Sequence, residues 1–271
     1  MRIILVGPGR AGMALSRALL SAGHSFAGVL ARRAEEAEAA AVDLETVPLD
    51  WGTPLPAADL LVIAVHDGAI EEVAARLVSV ATRVGSAVHL SGLKPVASLD
   101  ALADRCRIGS FHPLQTLPTP EAGAARLAGA WVGVTAPDPR LRDELFGLAE
   151  SIGARPFDLE DQARAVYHAA AAAASNFPLA ALAMAEDLFA AAEVPFEAAG
   201  PLIRAVIENA LALGPRRALT GPIARGDVET VAEQLAAVDR LVPAWGDEYR
   251  DFAGVVARVA GRSDDFSEVL E

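Results

Sequence analysis

Apolar runs and amphipathic segments alternate along roughly the first 158 residues. The run Arg2–Val6 is mostly apolar and β-branched, and a glycine turn joins it to an amphipathic Ala/Leu-rich segment over 10–21. This order predicts a strand, a tight turn and a helix. The same reasoning predicts further strands at 25–30, 44–49, 59–65, 86–90, 108–111, 131–135 and 154–158. It predicts further helices at 35–41, 68–80, 97–105 and 141–151.

The pattern changes near residue 160, where strand signals stop. Long Ala/Leu-rich helical windows follow at 160–192, 196–213, 227–239 and 243–260, separated by Pro and Gly. We therefore expect two domains. Residues 1–158 are predicted to form an α/β domain with a doubly wound, mostly parallel sheet, because strands alternate with helices there. Residues 159–271 are predicted to form a smaller all-helical domain.

Composition and charge exclude several classes of partner. The chain is 53% hydrophobic and 22% charged, as in globular proteins, and its net charge of −13 repels the phosphates of nucleic acids and anionic lipids. No charge-free apolar stretch of about 18 residues suggests a membrane span, and the first apolar run shows no signal-peptide cleavage site. The single cysteine, Cys106, fits a reducing compartment. We therefore expect a cytoplasmic protein without a nucleic-acid or membrane partner.

The glycine turn carries the clearest binding motif. Gly7-Pro8-Gly9-Arg10-Ala11-Gly12 fits the G-x-G-x-x-G pattern, with a predicted strand before it and a predicted helix after it. Such a turn brings the backbone and the positive end of a helix close to a pyrophosphate. The motif therefore predicts a dinucleotide-binding Rossmann domain. The alternative is a structural turn in an α/β protein that binds no nucleotide.

The end of the second predicted strand distinguishes NADP from NAD. An NAD enzyme usually has an acidic residue there to bind the ribose hydroxyls, but this chain has Arg32 and Arg33. Guanidinium groups suit a 2′-phosphate, so NADP is the predicted cofactor, although the two arginines could also be ordinary surface residues. Val65, His66 and Asp67 end a later strand and are predicted to line the nicotinamide side. His66 could equally be a plain loop residue.

Two polar motifs follow adjacent predicted strands. Ser91 and Lys94 come after the strand at 86–90, and His112 and Gln115 come after the strand at 108–111. Both motifs should open on the crevice at the carboxyl ends of the sheet. A dehydrogenase needs a proton donor or acceptor there, so His112 is the first candidate. The alternative is that His112 only caps its strand. Gln115 is predicted to contact substrate.

The helical half has two further clusters. His168, Ser175 and Asn176 fall on or beside one helical stripe, which predicts either a pocket wall or hydrogen bonds to a neighbouring helix. In the break between later helices, Thr220 is a candidate substrate contact and Arg225 a candidate carboxylate clamp. Asp227, two residues later, is predicted to cap the next helix. No Cys/His/Asp cluster at ligand spacing is present in the sequence, so no metal is expected.

Taken together, the motifs GPGRAG, GSFHPLQT, YHAAAAAASN and LTGPIARGD resemble those of a bacterial family of Rossmann-like proteins with a C-terminal domain of unknown function. In that family the first domain is NADP-oxidoreductase-like, and the second resembles the C-terminal domain of 6-phosphogluconate dehydrogenase. Wider relatives include prephenate dehydrogenase, pyrroline-5-carboxylate reductase and ketopantoate reductase. The resemblance implies a homodimer that pairs through the helical domain.

The resemblance also implies roles for single residues. Similarity to prephenate dehydrogenase makes Ser91 and His112 a reactive pair. Ketopantoate reductase and enzymes of the 6-phosphogluconate type use a Lys and an Asn one turn apart; Asn176 matches the Asn, but Ala172 stands at the Lys position. The proton would then come from one of three remaining side chains, namely Lys94, His112 or His168.

These observations predict an NADP-dependent reductase of a small carboxylate-bearing 2-oxo acid or imine, with ketopantoate as an example. In this hypothesis His112 is the general acid, Ser91 and Asn176 orient the substrate, and Arg225 anchors its carboxylate. The alternatives are a non-enzymatic NADP-binding regulatory or assembly protein, and a prephenate-dehydrogenase-like or deazaflavin-linked oxidoreductase.

Overall fold

A computed structural model describes residues 1–270 and contains a seven-stranded sheet in the order β2-β1-β3-β4-β5-β6-β7. Neighbouring strands are parallel except β5 and β6, which are antiparallel. The predicted doubly wound, mostly parallel sheet is therefore confirmed. The strands are β1 Arg2–Val6, β2 Ser25–Leu30, β3 Ala58–Ile63, β4 Val84–His89, β5 Arg107–Leu114, β6 Trp131–Thr135 and β7 Arg155–Asp158.

Helices cover both faces of this sheet, because alternate residues of its central strands are buried on opposite sides. In β1, Ile3 and Leu5 belong to one core cluster, whereas Ile4 and Val6 belong to the other. The helices are α1 Arg10–Ser21, α2 Ala34–Asp43, α3 Ile70–Leu77, α4 Pro120–Leu127 and α5 Pro139–Ser151. Short 3₁₀ turns lie at Asp67–Ala69 and Val96–Leu102.

Two sequence predictions need correction, and one helix was not predicted. Residues 44–49 are not a strand of the sheet: one isolated bridge joins Val29 to Pro48, which has no N–H to donate to a ladder. The predicted helix at 97–105 is the 3₁₀ turn Val96–Leu102. Helix α4 was not predicted, although Thr119 accepts a bond from the Ala122 N–H and Pro120 follows this cap, which is a recognisable helix start.

The remaining residues are helical, as predicted. The helices are α6 Arg164–Ala191, α7 Gly200–Leu213, α8 Pro215–Ala218, α9 Pro222–Arg225, α10 Val228–Leu241, α11 Gly246–Ala260 and α12 Ser267–Leu270. A small apolar cluster of Val231, Leu235, Ala257 and Phe266 lies among the last of them. Among residues 1–270, no helix combines the length and apolar character that a membrane span requires.

The chain forms two compact units, Met1–Ser175 and Asn176–Glu271. The first contains the whole sheet and the first part of α6, and the second contains the later helices. The predicted domain boundary after residue 158 stays a prediction: β7 ends there, whereas the compact units divide inside α6.

Candidate functional site

The turn after β1 depends on two closely packed glycines. Gly7 has a φ of +90°, and a Cβ there would lie 2.6 Å from the Ala64 carbonyl oxygen. A Cβ on Gly12 would lie 2.5 Å from the Gly7 carbonyl oxygen. Any side chain at either position would therefore push apart the turn, α1 and the end of β3.

Gly9 differs from both, because a Cβ there would have no neighbour within 4 Å. Gly9 is exposed and caps α1, and Arg10 and Ala11 beside it are also exposed. The first N–H groups of a helix lack intrahelical partners and form the positive end of its dipole. The motif from Gly7 to Gly12 therefore forms an open cradle that fits a pyrophosphate, and its second glycine leaves the approach clear.

The two arginines after β2 have different surroundings. Arg33 is ion-paired with Glu36 at 2.5 Å, within the first turn of α2. Arg32 is exposed and has no ion-pair partner in residues 1–270. Arg32 is thus the guanidinium available to an external phosphate, whereas part of the charge of Arg33 is already compensated.

The segment after β3 adjoins the glycine turn. Val65 Cγ1 would lie 2.9 Å from a Cβ on Gly7, so this side chain packs against the turn. His66 is exposed and precedes the 3₁₀ turn that begins at Asp67. The charge of the Asp67 carboxylate opposes the lowering of the pKa of His89 and of His112.

Arg164, at the start of α6, ties together the loop after β4, the middle of β5 and the end of β6. Its side chain is 1% exposed and pairs with Asp161 at 2.6 Å. It donates to the Ser91 carbonyl at 3.1 Å, to the Ser110 hydroxyl and to the Thr135 hydroxyl. One buried guanidinium therefore fixes the loop after β4, the middle of β5 and the end of β6 relative to α6.

His89 and Ser91 hold the loop after β4. The Ser91 N–H donates to His89 Nδ1, and His89 Nε2 donates to the Pro95 carbonyl, each at 3.2 Å. The Ser91 hydroxyl oxygen accepts from the N–H groups of Leu93 and Lys94 at 3.1 and 2.9 Å. Ser91 therefore stabilises the loop with its oxygen and keeps its own hydroxyl hydrogen as a donor.

His112 is held on two sides of its ring. Its Nδ1 lies 2.7 Å from the Tyr167 hydroxyl, and the two rings meet edge to face. A Cβ on Gly92 would lie 2.7, 2.8 and 3.1 Å from Nε2, Cε1 and Cδ2, so the Gly92 backbone packs on the ring face. Tyr167 also contacts the Phe157 ring at a centroid distance of 6.0 Å. The orientation of His112 is therefore set by β4, β7 and α6 together.

Burial keeps the His112 imidazole neutral. The pKa of His112 is lowered to about 4, chiefly by burial and then by the charges of His168 and Arg164, against the opposing effect of Asp67. Burial likewise raises the pKa of Tyr167 to about 12. At neutral pH the pair therefore consists of an imidazole and a phenol, so His112 does not carry the imidazolium proton of a conventional general acid.

Two other predicted side chains bind to nearby protein groups, Lys94 to helix α3 and Gln115 to its own loop. The Lys94 ammonium contacts Glu71 at 3.2 Å, and the Ser98 hydroxyl donates to the same carboxylate. The Gln115 amide oxygen accepts from the Thr116 N–H at 2.8 Å. Both side chains fix loops at the rim of the sheet, and their predicted catalytic and substrate-binding roles stay predictions.

The predicted polar residues of the helical half divide between the two compact units. His168 and Ser175 lie on α6 in the first unit, where the Ser175 hydroxyl donates to the Ala171 carbonyl at 2.7 Å. Asn176, Thr220 and Arg225 are exposed and belong to the second unit. The capping role of Asp227 is confirmed, because its carboxylate accepts from the Thr230 N–H at 3.1 Å.

Sequence reasoning missed four residues that shape the site: His89, Gly92, Tyr167 and Arg164. Tyr167 stands beside His168 in a motif that the sequence does single out, so that motif could have led to it. Arg164 gives no such signal, since an arginine near a helix start resembles a surface residue. Among the described residues, no group of three or more His, Cys, Asp or Glu side chains is placed to hold a metal ion.

Two family models match the chain. A Rossmann-like domain matches residues 1–113, and a domain of unknown function, DUF2520, matches residues 130–254. The two matches follow each other along the chain, the Rossmann-like match first and the DUF2520 match second. This confirms the resemblance inferred from the motifs. The Rossmann-like match includes the glycine turn and His112, whereas the DUF2520 match includes Arg164 and Tyr167.

Solved structures with the same fold include proteins named as oxidoreductases. A candidate NADP oxidoreductase from Bacteroides fragilis is 24% identical with a TM-score of 0.80, over 95% of this chain and 98% of that chain. A Thermotoga maritima protein is 22% identical with a TM-score of 0.73, over 96% and 98%. A reductive aminase from Aspergillus terreus, solved with NADPH and ethyl levulinate, is 18% identical with a TM-score of 0.60, over 99% and 89%. No curated protein matches the chain.

Proposed function

We propose that this Rossmann-like DUF2520 protein is an NADP-dependent reductase. The observation that carries the proposal is the open cradle at Gly9, bounded by two glycines that the fold itself requires. Arg32 supports a preference for the 2′-phosphate, because it is exposed and unpaired in residues 1–270 and no acidic side chain replaces it after β2. The reductive aminase from Aspergillus terreus, which has a similar fold, was solved with NADPH.

This chain's residues would hold the cofactor by its phosphates and its nicotinamide end. Gly7 to Gly12 would bind the pyrophosphate, Arg32 the 2′-phosphate, and the segment from Val65 to Asp67 would line the nicotinamide side. A bound dihydronicotinamide supplies a hydride. Beside it, His112 would donate a hydrogen bond from its neutral ring to the substrate atom that gains charge, since a buried neutral imidazole can polarise a carbonyl.

We further propose a small substrate with a C=O or C=N bond beside a carboxylate. Hydride addition to either bond leaves a basic oxygen or nitrogen, which needs the donor that His112 provides. Ketopantoate is the first 2-oxo acid to test, followed by other 2-oxo acids and imines. The assay of NADPH oxidation described below also tests the roles predicted for Ser91, Lys94, Asn176 and Arg225.

A fluorescence titration with NADPH and with NADH tests the cofactor. We expect tighter binding of NADPH, and a loss of roughly ten- to a hundredfold in NADPH affinity for Arg32→Ala, the range for a charged hydrogen-bonded contact. Arg33→Ala is the matched control: its guanidinium already pairs with Glu36, so it should keep most of the preference. If neither nucleotide binds the wild-type protein, the proposal is wrong.

NADPH oxidation across a panel of 2-oxo acids and imines tests the reaction. We expect His112→Ala to lower the rate by about 10²- to 10⁴-fold while NADPH affinity is retained. A protein that binds NADPH tightly but turns over no member of the panel would contradict the enzyme proposal. It would favour the alternative, an NADP-binding regulatory or assembly protein.

We also propose that the protein forms a homodimer through the helical unit. Helix α7 is mostly apolar apart from Arg204, Glu208 and Asn209 and has no buried residue, and Leu202, Val206 and Leu211 on it are 62%, 55% and 83% exposed. A helix of this character is normally covered. A second copy offers the same apolar face, so two α7 helices can cover each other in a symmetric pair.

A further inference from the structure

The hydrogen bond between His112 and Tyr167 fixes more than a ring position. Tyr167 has one hydroxyl hydrogen, and in residues 1–270 the only hydrogen-bond partner of that hydroxyl is His112 Nδ1, at 2.7 Å. If Nδ1 carried the hydrogen, the tyrosine hydroxyl would accept it and its own hydrogen would lack a protein acceptor. A half-buried hydroxyl is more stable when its hydrogen is bonded, so Tyr167 donates and Nδ1 accepts.

This arrangement leaves the hydrogen of the neutral imidazole on Nε2. The Gly92 backbone lies over the ring face, because a Cβ there would be almost equally far from three ring atoms, Nε2, Cε1 and Cδ2. Tyr167 occupies the Nδ1 edge. In the described part of the chain Nε2 has no hydrogen-bond partner, so the Nε2–H group is the donor that His112 can offer to a ligand.

We propose that Tyr167 is a positioning residue that holds His112 in its Nε2–H form and supplies the proton that replaces the one His112 gives away. The inference rests on the proposed reductase function, with a dihydronicotinamide as the reductant. After hydride addition to a C=O or C=N bond, the substrate oxygen or nitrogen takes the proton from Nε2. The Tyr167 O–H bond breaks as its proton moves to Nδ1.

The two transfers balance within the pair. The His112 ring stays neutral and ends in the Nδ1–H form, and Tyr167 becomes a tyrosinate. Nε2 then takes a proton from water and Nδ1 returns its proton to the tyrosinate oxygen, which restores the starting Nε2–H form. Without Tyr167, a neutral His112 that gave up its proton would become an imidazolate, which is far more basic than a tyrosinate. The guanidinium of Arg164, which acts electrostatically on Tyr167, favours its negative form.

Nitrogen NMR of ¹⁵N-histidine-labelled protein tests the first half of the proposal without cofactor or substrate. The chain has five histidines, and the His112 signals are assigned from their loss in His112→Gln. We expect a protonated Nε2 and an unprotonated Nδ1 at pH 7 in the wild type. Tyr167→Phe should mix the two forms. A wild-type ring protonated on Nδ1 would overturn the proposal. This measurement is made on the wild-type protein, and the only variant that must fold for it is His112→Gln, which assigns the signals.

The second tyrosine provides the matched control. Tyr249 is also half-buried, but its hydroxyl bonds to Gln234 at 3.4 Å, in the other compact unit. Tyr249→Phe should leave the His112 nitrogen signals unchanged. A change of the same size in both variants would mean that the signals report general loosening, and it would count against a specific role for Tyr167.

Kinetics test the proton supply. With any panel substrate that turns over, Tyr167→Phe should lower kcat by about ten- to a hundredfold with little change in KM or in NADPH affinity. The solvent isotope effect should indicate two protons in motion in the wild type and one in the variant. Turnover that is unaffected by Tyr167→Phe would overturn the relay but leave the reductase function intact. If no substrate turns over, the proposed function and the relay both fail, whereas the NMR result still decides the tautomer.

Discussion

Gly7, Gly9 and Gly12 belong to one motif but differ in what surrounds them. A Cβ at Gly7 or Gly12 would overlap backbone atoms of the same chain, whereas a Cβ at Gly9 would meet nothing within 4 Å. Gly7 and Gly12 are therefore needed to fold the turn. Packing within this chain does not explain the glycine at position 9, so we expect that a ligand does.

This difference predicts opposite phenotypes for two alanine variants. Gly12→Ala should lower the melting temperature, because its Cβ would meet the Gly7 carbonyl at 2.5 Å. Gly9→Ala should melt close to the wild type but bind NADPH at least about tenfold more weakly, since the methyl group would stand where the pyrophosphate approaches. Thermal melts and fluorescence titrations measure the two effects. Equal NADPH binding by Gly9→Ala and wild type would argue against the cradle.

The buried histidines predict how stability depends on pH. His89 and His112 have pKa values of about 4 in the folded protein, against about 6.5 when unfolded. Between these values the unfolded chain binds more protons, so stability is complete above pH 6.5 and falls as the pH drops toward 4. At pH 5 each histidine should remove about 2 kcal/mol from the free energy of unfolding.

Urea unfolding at pH 7 and pH 5 measures this loss. His112→Gln should remove about half of the histidine contribution, because His89 remains with a similar shift. The charges that face these rings, those of Arg164, Asp67 and His168, are unchanged in the variant. A pH dependence as steep in His112→Gln as in the wild type would show that His112 titrates normally.

Arg164 shows how strand ends and a helix are held together. Its guanidinium reaches the loop after β4, the middle of β5 and the end of β6, and Asp161 compensates its charge. The Asp161 carboxylate also accepts from the Val96 N–H at 3.1 Å, which extends the network to the loop after β4. Ser91 precedes Gly92, whose backbone packs on the His112 ring. The position of Ser91 therefore depends on Arg164, which is more than seventy positions away in the sequence.

Arg164→Met should be strongly destabilising. It removes one partner of a buried pair and leaves several polar groups without their donor, which typically costs about 3–5 kcal/mol. Arg107→Met is the control: Arg107 pairs with Glu144, but both side chains are about 30% exposed, so the loss should be about 1 kcal/mol or less. Urea unfolding compares the two variants, and equal losses would contradict the special role of Arg164.

For the chain as a whole, the exposed apolar helix α7 predicts association. The wild type should elute as a dimer in size-exclusion chromatography with light scattering, and Leu211→Glu should shift it to a monomer by placing a charge in the interface. Val42→Glu is matched in exposure, at 82% against 83%, but lies on α2 and should remain dimeric. A monomeric wild-type protein would contradict the homodimer.

Much of this protein follows from local sequence patterns. The alternation of strands and helices, the glycine turn and the helical second half depend on hydrophobic periodicity and on glycine, both of which act over a few residues. The capping role of Asp227 was predictable for the same reason. The prediction of a strand at 44–49 was wrong and shows the limit of local patterns, since Pro48 allows only an isolated bridge there.

The tertiary structure alone decided which polar groups meet at the carboxyl edge of the sheet. His112 was identifiable as a candidate, but its contact with Tyr167 joins positions 55 residues apart, and that of Arg164 with Ser91 joins positions 73 apart. Burial then determined that His112 is neutral, because desolvation depends on every segment packed around the ring. Local patterns therefore determined the strands, helices and glycine cradle of this protein, whereas long-range packing determined the protonation and orientation of its candidate catalytic group.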